Sequence, residues 1–397
     1  MQEALDRGED PTEGRDSGDR HREEVERQKA RLKAAEQAKR EVVEEHWEPP
    51  PSFGSMRYQL DNPLPENGFV VKELAGTGMT ILFIAQWKAG KTTAGFNLAV
   101  ALADGGEFLG RFGTELREDT SVAYWNFELD GRRAQDWVRD LDPQHPERLY
   151  VEHWRGYGIP IETPAGEDFA VGHLIEQAAS VLIIDPSSSA HDHDENSAQE
   201  MGRWYKAVER IKRRAGLDLV VIVAHAGHGG VGENGDGLPR VRGNSKQMGD
   251  ADAFWFYQHG GEHGQIAPDS RRYFTAYGRD IDTGQITLDY DSTSRRLEVV
   301  SGVTGRAEDR ALNTGKEVWR ILDNYYSSNT KTFAGKSKLE KLIRTAGKSD
   351  YKREGIEYAD RMGWIEIEEQ GDGRPILYRL GKTQPEDDKC IRLPPLK

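Results

Sequence analysis

Ile81-Leu82-Phe83-Ile84-Ala85-Gln86-Trp87-Lys88-Ala89-Gly90-Lys91-Thr92-Thr93 is the stretch on which the fold turns. Four apolar residues read as a buried strand, a short glycine-containing loop follows, and a helix opens through Ala94, Phe96, Leu98, Ala99 and Leu102. Strand, loop and helix in that order are the setting a phosphate-binding loop requires. Backbone N–H groups at the helix start face an anion, and the helix dipole adds to their pull. In this reading Ala85 to Thr93 wrap the phosphates, Lys91 reaches the β- and γ-phosphates, and the Thr92 hydroxyl ligates Mg²⁺. Ala85 stands where the motif has its first glycine, which is tolerable if its φ is negative. The stretch predicts a nucleoside triphosphate site.

Composition narrows the rest. The chain has 397 residues, a length that suggests two or three domains. Its 54 lysines and arginines face 68 aspartates and glutamates, for a net charge of −14. Any contact with nucleic acid must therefore come from a local patch. The one cysteine, Cys390, excludes a disulfide framework and a cysteine metal site, and fits a reducing compartment. No apolar run approaches the roughly 20 residues of a membrane span, and the N-terminus is too polar for a secretory signal. A cytoplasmic protein with no membrane partner is expected.

Working outward from the loop, residues 1 to 50 read as a disordered tail followed by a charged helix from Asp19 to His46. Its apolar residues Val25, Leu32, Val42 and Val43 are too sparse for a coiled-coil seam. The helix is expected to be solvated, with a partner-docking arm as the alternative. Pro49-Pro50-Pro51 ends it as a stiff linker.

From 55 to 303 apolar strands alternate with helices, which predicts an α/β domain with a mostly parallel sheet covered on both faces. Expected strands are Ser121 to Phe127, Leu149 to Trp154, Val181 to Asp185 and Leu219 to Ala224. Helices are expected through Ala134 to Leu141, up to Ala179, and over Gln199 to Gly216. Past Phe254 the period drops to two. Strands Tyr273–Ala276, Gln285–Tyr290 and Arg296–Val300, joined by turns at Asp282-Thr283-Gly284 and Asp291–Ser294, read as an antiparallel extension.

Residues 310 to 381 form a separate pattern. Helices over Asn313–Tyr326, Leu339–Thr345 and Tyr351–Met362 precede two strands, Trp364–Glu368 and Ile376–Leu380, flanking Gly371-Asp372-Gly373. Three helices and a two-stranded wing predict a small winged-helix domain. Lys336, Lys338, Lys341, Arg344, Lys348, Lys352 and Arg353 face only Glu340 and Asp350 there, a candidate DNA-contacting surface in so acidic a chain. Residues 382 to 397 read as a flexible tail.

Several side chains carry chemistry. Asp185 closes an apolar strand, where an acceptor would help hold Mg²⁺. Glu128 stands at the C-terminal end of another strand, pointing into the crevice where ligands of parallel sheets bind, and is the candidate base for the attacking water. Asn126 and Asp130 are its rivals, though Asp130 also suits an N-cap. His225 ends the Leu219–Ala224 strand and can contact the γ-phosphate. His191 and His193 lie among Asp192, Asp194 and Glu195 on a polar loop, read as a loop over the site rather than as a metal centre. Arg240 and Arg242, in the glycine-rich Gly227–Gly243 stretch, either pair locally or reach a neighbouring subunit, Arg242 being favoured.

Together, Gln86 to Thr93, Asn126-Phe127-Glu128, Ile183-Ile184-Asp185-Pro186, His193-Asp194-Glu195-Asn196, Val223-Ala224-His225 and Arg242-Gly243-Asn244-Ser245 resemble the RecA-like ATPases. Within them they resemble the plasmid-type RepA hexameric replicative helicases and their phage relatives. The resemblance covers roughly residues 65 to 300. It implies ATP and Mg²⁺ as cofactors, Lys91 and Thr92 as nucleotide and metal contacts, and Glu128 as base. It further implies His225 as sensor and Arg242 as a finger acting in trans. Relatives often read His-His-x-Gly-Lys after the sensor strand, where this chain has His225-Ala226-Gly227-His228. The implied function is an ATP-driven, ring- or filament-forming motor on DNA in replication or recombination. A homo-oligomer such as a hexamer would hold single-stranded DNA in its loops and duplex at the winged helix. The alternatives are a strand-exchange recombinase and a nucleotide-gated winged-helix DNA-binding regulator with a slow ATPase.

Overall fold

The computed structural model describes residues 21–35, 37, 51–63, 68–86, 89–227, 251–259, 271–300, 305–328, 332–346, 348–371 and 374–385. The chain divides into two units, residues 1–66 and 67–397. In the first, residues 21–35 are helical and exposed along their length save for half-buried Val25. Arg27 and Glu23 pair across one turn at 3.4 Å, as expected of a solvated helix. A second helix, Met56–Asp61, is capped by the Ser55 hydroxyl, which accepts from the Tyr58 N–H.

The second unit is built on a nine-stranded sheet. In chain order its strands are β1 (Met79–Ala85), β2 (Ser121–Asn126), β3 (Leu149–His153), β4 (Ala179–Asp185), β5 (Leu219–His225), β6 (Ala253–His259), β7 (Arg272–Gly278), β8 (Ile281–Tyr290) and β9 (Leu297–Val299). They lie in the order β9-β8-β7-β6-β1-β5-β4-β2-β3. The run from β6 to β3 is parallel, and β7, β8 and β9 extend it antiparallel.

Parallel strands fed by crossover helices are covered on both faces, which is why β1, β2, β4 and β5 are mostly apolar and buried along nearly their whole length. Helices α1 (Lys91–Asp104) and α2 (Gly131–Asp140) cover one face, packing Phe96, Leu98, Leu102 and Ala134 against Ile81, Phe83, Tyr124 and Ile183. Helices α3 (Pro164–Glu176) and α4 (Ala198–Ala215) cover the other, where Leu174, Trp204, Val208 and Ile211 meet Leu82, Ile84, Leu182 and Ile222. The result is an α/β fold with a large, mostly parallel sheet.

The antiparallel part differs from expectation in two places. β6 is an additional strand, parallel to β1, with Trp255, Phe256 and Tyr257 buried. Asp282-Thr283-Gly284 is not a turn. It lies inside β8, and the reversal occurs at Arg279-Asp280, where Asp280 adopts φ +60°. The register shifts between Phe274 and Ala276, so the turn-like triplet marks a bulge.

Helix α5 (Gly305–Ser328) begins several residues before the expected Asn313 and continues the unit past the ninth strand. Two shorter helices follow, α6 (Lys336–Leu342) and α7 (Ser349–Arg361). A small antiparallel sheet of order β10-β12-β11 completes this end, from Phe333–Ala334, Leu377–Leu380 and Ile365–Glu368 respectively. Val318, Leu322, Leu339, Ile356, Trp364 and Tyr378 form its core. No helix among the described residues is long and apolar enough to cross a membrane.

Candidate nucleotide site

The phosphate-loop stretch lies where the sheet positions it. Ala85 is the last residue of β1, in extended backbone, and pairs with His225 of β5 on one side and Tyr257 of β6 on the other. Its side chain is thus compatible with the strand, and the missing first glycine is accommodated. The loop is pinned by Gln86 N–H donating to the Tyr257 carbonyl at 3.2 Å and Ala89 N–H to that of Gln86 at 3.1 Å. Gly90 caps α1 with φ +94° and ψ 36°, left-handed backbone that a side chain would strain. Trp87 and Lys88 lie outside the described residues.

Lys91, Thr92 and Thr93, the first residues of α1, are buried. The Lys91 ammonium pairs with the Glu128 carboxylate, which is about half exposed. The two residues assigned to the γ-phosphate region therefore meet, although they come from different strand–helix junctions. The rivals of Glu128 have other work. Asn126 is wholly buried, and its side-chain oxygen accepts from the N–H groups of Glu128 (3.2 Å) and Leu129 (2.8 Å), which holds the turn after β2. Asp130 caps α2, accepting from Arg133 N–H at 3.0 Å.

Asp185 ends β4 directly beside Asn126 of β2 and has no solvent exposure. Its Oδ2 accepts from the Tyr124 hydroxyl at 2.6 Å. Its Oδ1 is buried and has no hydrogen-bond partner among the described residues. Burial raises the Asp185 pKa, opposed by the Lys91 charge and by the Tyr124 and Thr92 hydroxyls, while Glu128 adds to the rise. Burial, with Asp185 beside it, pushes the Tyr124 hydroxyl well above its ordinary value. A buried carboxylate oxygen left open near the Thr92 hydroxyl is a donor set that fits a hard divalent cation. Gly90, Lys91 and the start of α1 fit the phosphates such a cation accompanies.

His225 is half-exposed at the end of β5, opposite Ala85 and so at the loop. Arg240 and Arg242 lie outside the described residues. The loop after β4 is tied by its histidines: His193 Nε2 pairs with Glu162, and His193 Nδ1 lies 3.7 Å from Glu200. His191 stacks on His193 and meets the edge of Trp204, with its pKa lowered by burial. No group of residues able to hold a metal is formed by histidine, cysteine and carboxylates among the described residues.

At the far end Lys336, Lys338, Lys341, Arg344 and Lys348 are exposed along α6 and the segment after it. Two of the expected DNA contacts are engaged elsewhere. Lys352 Nζ donates to the Glu340 carbonyl at 2.7 Å, and Arg353 pairs with Asp350 at 3.4 Å and Glu340 at 3.8 Å. The outward positions of α7 include Asp350, Glu354, Glu357 and Asp360, so that helix presents mostly acid.

Tyr124 is the site residue that the sequence did not single out. Its signal was a hydroxyl in the middle of a buried strand.

Residues 49–231 match a family model described as AAA domain. No curated protein matches. Among solved structures the chain is similar to a RadB recombinase, at 11% identity and TM-score 0.37, over 57% of this chain and 92% of that one. It is also similar to a KaiC-like protein from the hyperthermophilic archaeon Pyrococcus horikoshii OT3, at 12% identity and TM-score 0.39, over 57% of this chain and 90% of that one. The sheet order and the phosphate loop opening α1 are those of the RecA-like P-loop fold, and residues 49–231 of it match the AAA-domain model.

Proposed function

We propose that this chain is an ATP-hydrolysing motor acting on DNA in replication or recombination, in the manner of the plasmid-type RepA hexameric helicases it resembles. The observation that carries the reading is the meeting of Lys91, at the start of α1, with Glu128 and Asp185 at the carboxyl ends of the adjacent strands β2 and β4. A divalent cation such as Mg²⁺ would supply positive charge that offsets the charge developing on the phosphates. Thr92 and the open oxygen of Asp185 would hold it. Lys91 would stabilise the γ-phosphate oxygens, the backbone at Gly90 and the start of α1 would cradle the phosphates, and Glu128 would take a proton from the attacking water. His225, adjoining the loop, would sense the γ-phosphate.

A motor of this kind completes its site with a neighbour, and Arg242 is assigned that role. Arg242→Ala should bind ATP but hydrolyse it about 10³ to 10⁵ times more slowly. Mixing it with Lys91→Ala protein should restore some turnover, because the Lys91-deficient subunit still lends its arginine. If co-assembled mixtures stay inactive, the shared site is wrong. Electron microscopy with ATP and single-stranded DNA then separates the helicase reading (closed rings) from the recombinase reading (filaments).

The C-terminal body, read as a winged helix, is assigned a DNA contact through α6 rather than α7, whose outward face would repel phosphates. Changing Lys336, Lys338 and Lys341 together to Ala should flatten the salt dependence of duplex binding by about 0.9 unit per lost contact. Lys352→Ala, already bound to a carbonyl, should change the slope little. An unaltered slope in the triple variant would leave this body as a protein-docking module.

A further inference from the structure

Tyr124 occupies a position that neither the phosphate loop nor the base assignment explains. It lies in β2, wholly buried, and donates its hydroxyl hydrogen to Asp185 Oδ2 at 2.6 Å. Its ring stacks on Phe96 of α1, centroids 4.5 Å apart and planes 25° apart. The hydroxyl passes α1 at Gly95, where a Cβ would stand 2.7 Å from the Tyr124 oxygen. A glycine inside a helix costs about 1 kcal/mol relative to alanine. Gly95 is thus a weak choice for α1 taken alone, and it is the residue that admits the hydroxyl. Two elements, β2 and α1, are therefore shaped around one hydrogen bond to one oxygen of Asp185.

We propose that Tyr124 is a positioning residue: its hydroxyl fixes the Asp185 carboxylate by Oδ2 and so leaves Oδ1 available to a divalent cation. The inference rests on the nucleotide-site reading above. A carboxylate with both oxygens free to rotate would present the cation with a mixture of orientations. Groups that orient a metal ligand typically contribute 10- to 100-fold to metal affinity.

The test uses Mn²⁺ as probe and ADP as nucleotide, with Mn²⁺ binding followed by electron paramagnetic resonance and ADP binding by calorimetry in EDTA. Tyr124→Phe keeps the ring and its stack on Phe96 while removing the hydroxyl. It should bind Mn²⁺ in the presence of ADP about tenfold more weakly, with its affinity for metal-free ADP unchanged. Gly95→Ala should move Mn²⁺ affinity in the same direction, because the added methyl displaces the hydroxyl while favouring the helix. Wild-type Mn²⁺ affinity in Tyr124→Phe overturns the proposal. A parallel loss of metal-free ADP binding also overturns it, since Tyr124 would then be holding the loop together rather than orienting Asp185. If the unaltered protein binds no ADP, the nucleotide reading itself fails, and this inference with it.

Discussion

Two buried aspartates in the second unit are held alike and finished differently. Asp185, at the end of β4, accepts a hydrogen bond from Tyr124 at 2.6 Å. Asp309, in the first turns of α5, accepts one from Tyr273 at 2.7 Å. Burial raises the pKa of both. Asp309, however, also has the Arg271 guanidinium 3.0 Å away, so the chain supplies its counter-charge. Both keep an Oδ1 with no hydrogen-bond partner among the described residues, but the cation acting on Asp185 is Lys91, which pairs with Glu128. A carboxylate with its own guanidinium ties α5 to β7 and the antiparallel extension. One that shares its cation with a second carboxylate is suited to a cation from outside. The counter-charge, rather than burial, separates the acid read as structural from the one proposed to hold a cation.

The largest effect that can break this contrast is on hydrolysis. Asp185→Asn, Lys91→Ala and Glu128→Gln should each reduce ATP turnover by about 10²- to 10³-fold, since each removes a charge or base proposed to act on the reacting phosphate. Glu128→Gln should still bind ATP. Asp309→Asn should leave the rate per folded molecule unchanged. A phosphate-release assay on the four variants decides it, and an Asp309→Asn protein as impaired as Asp185→Asn would erase the distinction.

Stability should show the reverse ranking. Asp309→Asn removes the nearer of the two carboxylates beside Arg271, Asp289 remaining at 3.8 Å, so the loss should be at most about 3–5 kcal/mol, the cost of a fully broken buried pair. Urea unfolding should place the variant that far below wild type. Adding Arg271→Met to the same chain should recover part of the loss, because a buried pair replaced by apolar residues of similar volume is often neutral. If Asp309→Asn unfolds like wild type, the pair contributes little and α5 is anchored by apolar packing alone.

The two aspartates also differ in how far the sequence reveals them. Asp185 was legible because a charge ends the run Val181-Leu182-Ile183-Ile184, and a strand end is a local fact. Gly90 and Lys91 were legible for the same reason. Asp309 stands in Ala307-Glu308-Asp309-Arg310, where nothing separates it from an exposed neighbour. Its partners lie earlier in the chain, Arg271 just before β7 and Tyr273 within it, 36 positions away. Tyr124 escaped notice likewise, since its partner Asp185 is 61 positions away. Asp282-Thr283-Gly284 misled because the residues that favour turns also favour bulges, and only the pairing of β7 with β8 tells them apart. Lys352 and Arg353 counted as free charge until the fold gave them the Glu340 carbonyl and two carboxylates. Motifs that act through neighbours in sequence can be read; partnerships across the sheet cannot.

The smallest effect is the most discriminating, because it isolates the open charge on Asp185. Without Mg²⁺, Asp185→Asn should be more stable than wild type by about 1 kcal/mol near neutral pH, or a few degrees in Tm. The sign follows from linkage. Below the ordinary carboxyl value of 3.8 the group is protonated whether the chain is folded or not, and it contributes no pH dependence. As pH rises through that value the unfolded chain releases its proton first, while the folded chain, with its raised pKa, holds on. The native state therefore binds more protons across this window, and wild-type stability falls until the raised pKa is passed. Asn lacks the group and escapes the loss. The Tm difference between variant and wild type, measured in EDTA, should be near zero at about pH 4 and grow toward neutral pH. A difference that stays constant across the range would mean that the chain already compensates the charge on Asp185. The open oxygen would then be an ordinary buried acceptor, and Asp185 would belong with Asp309 among the structural acids.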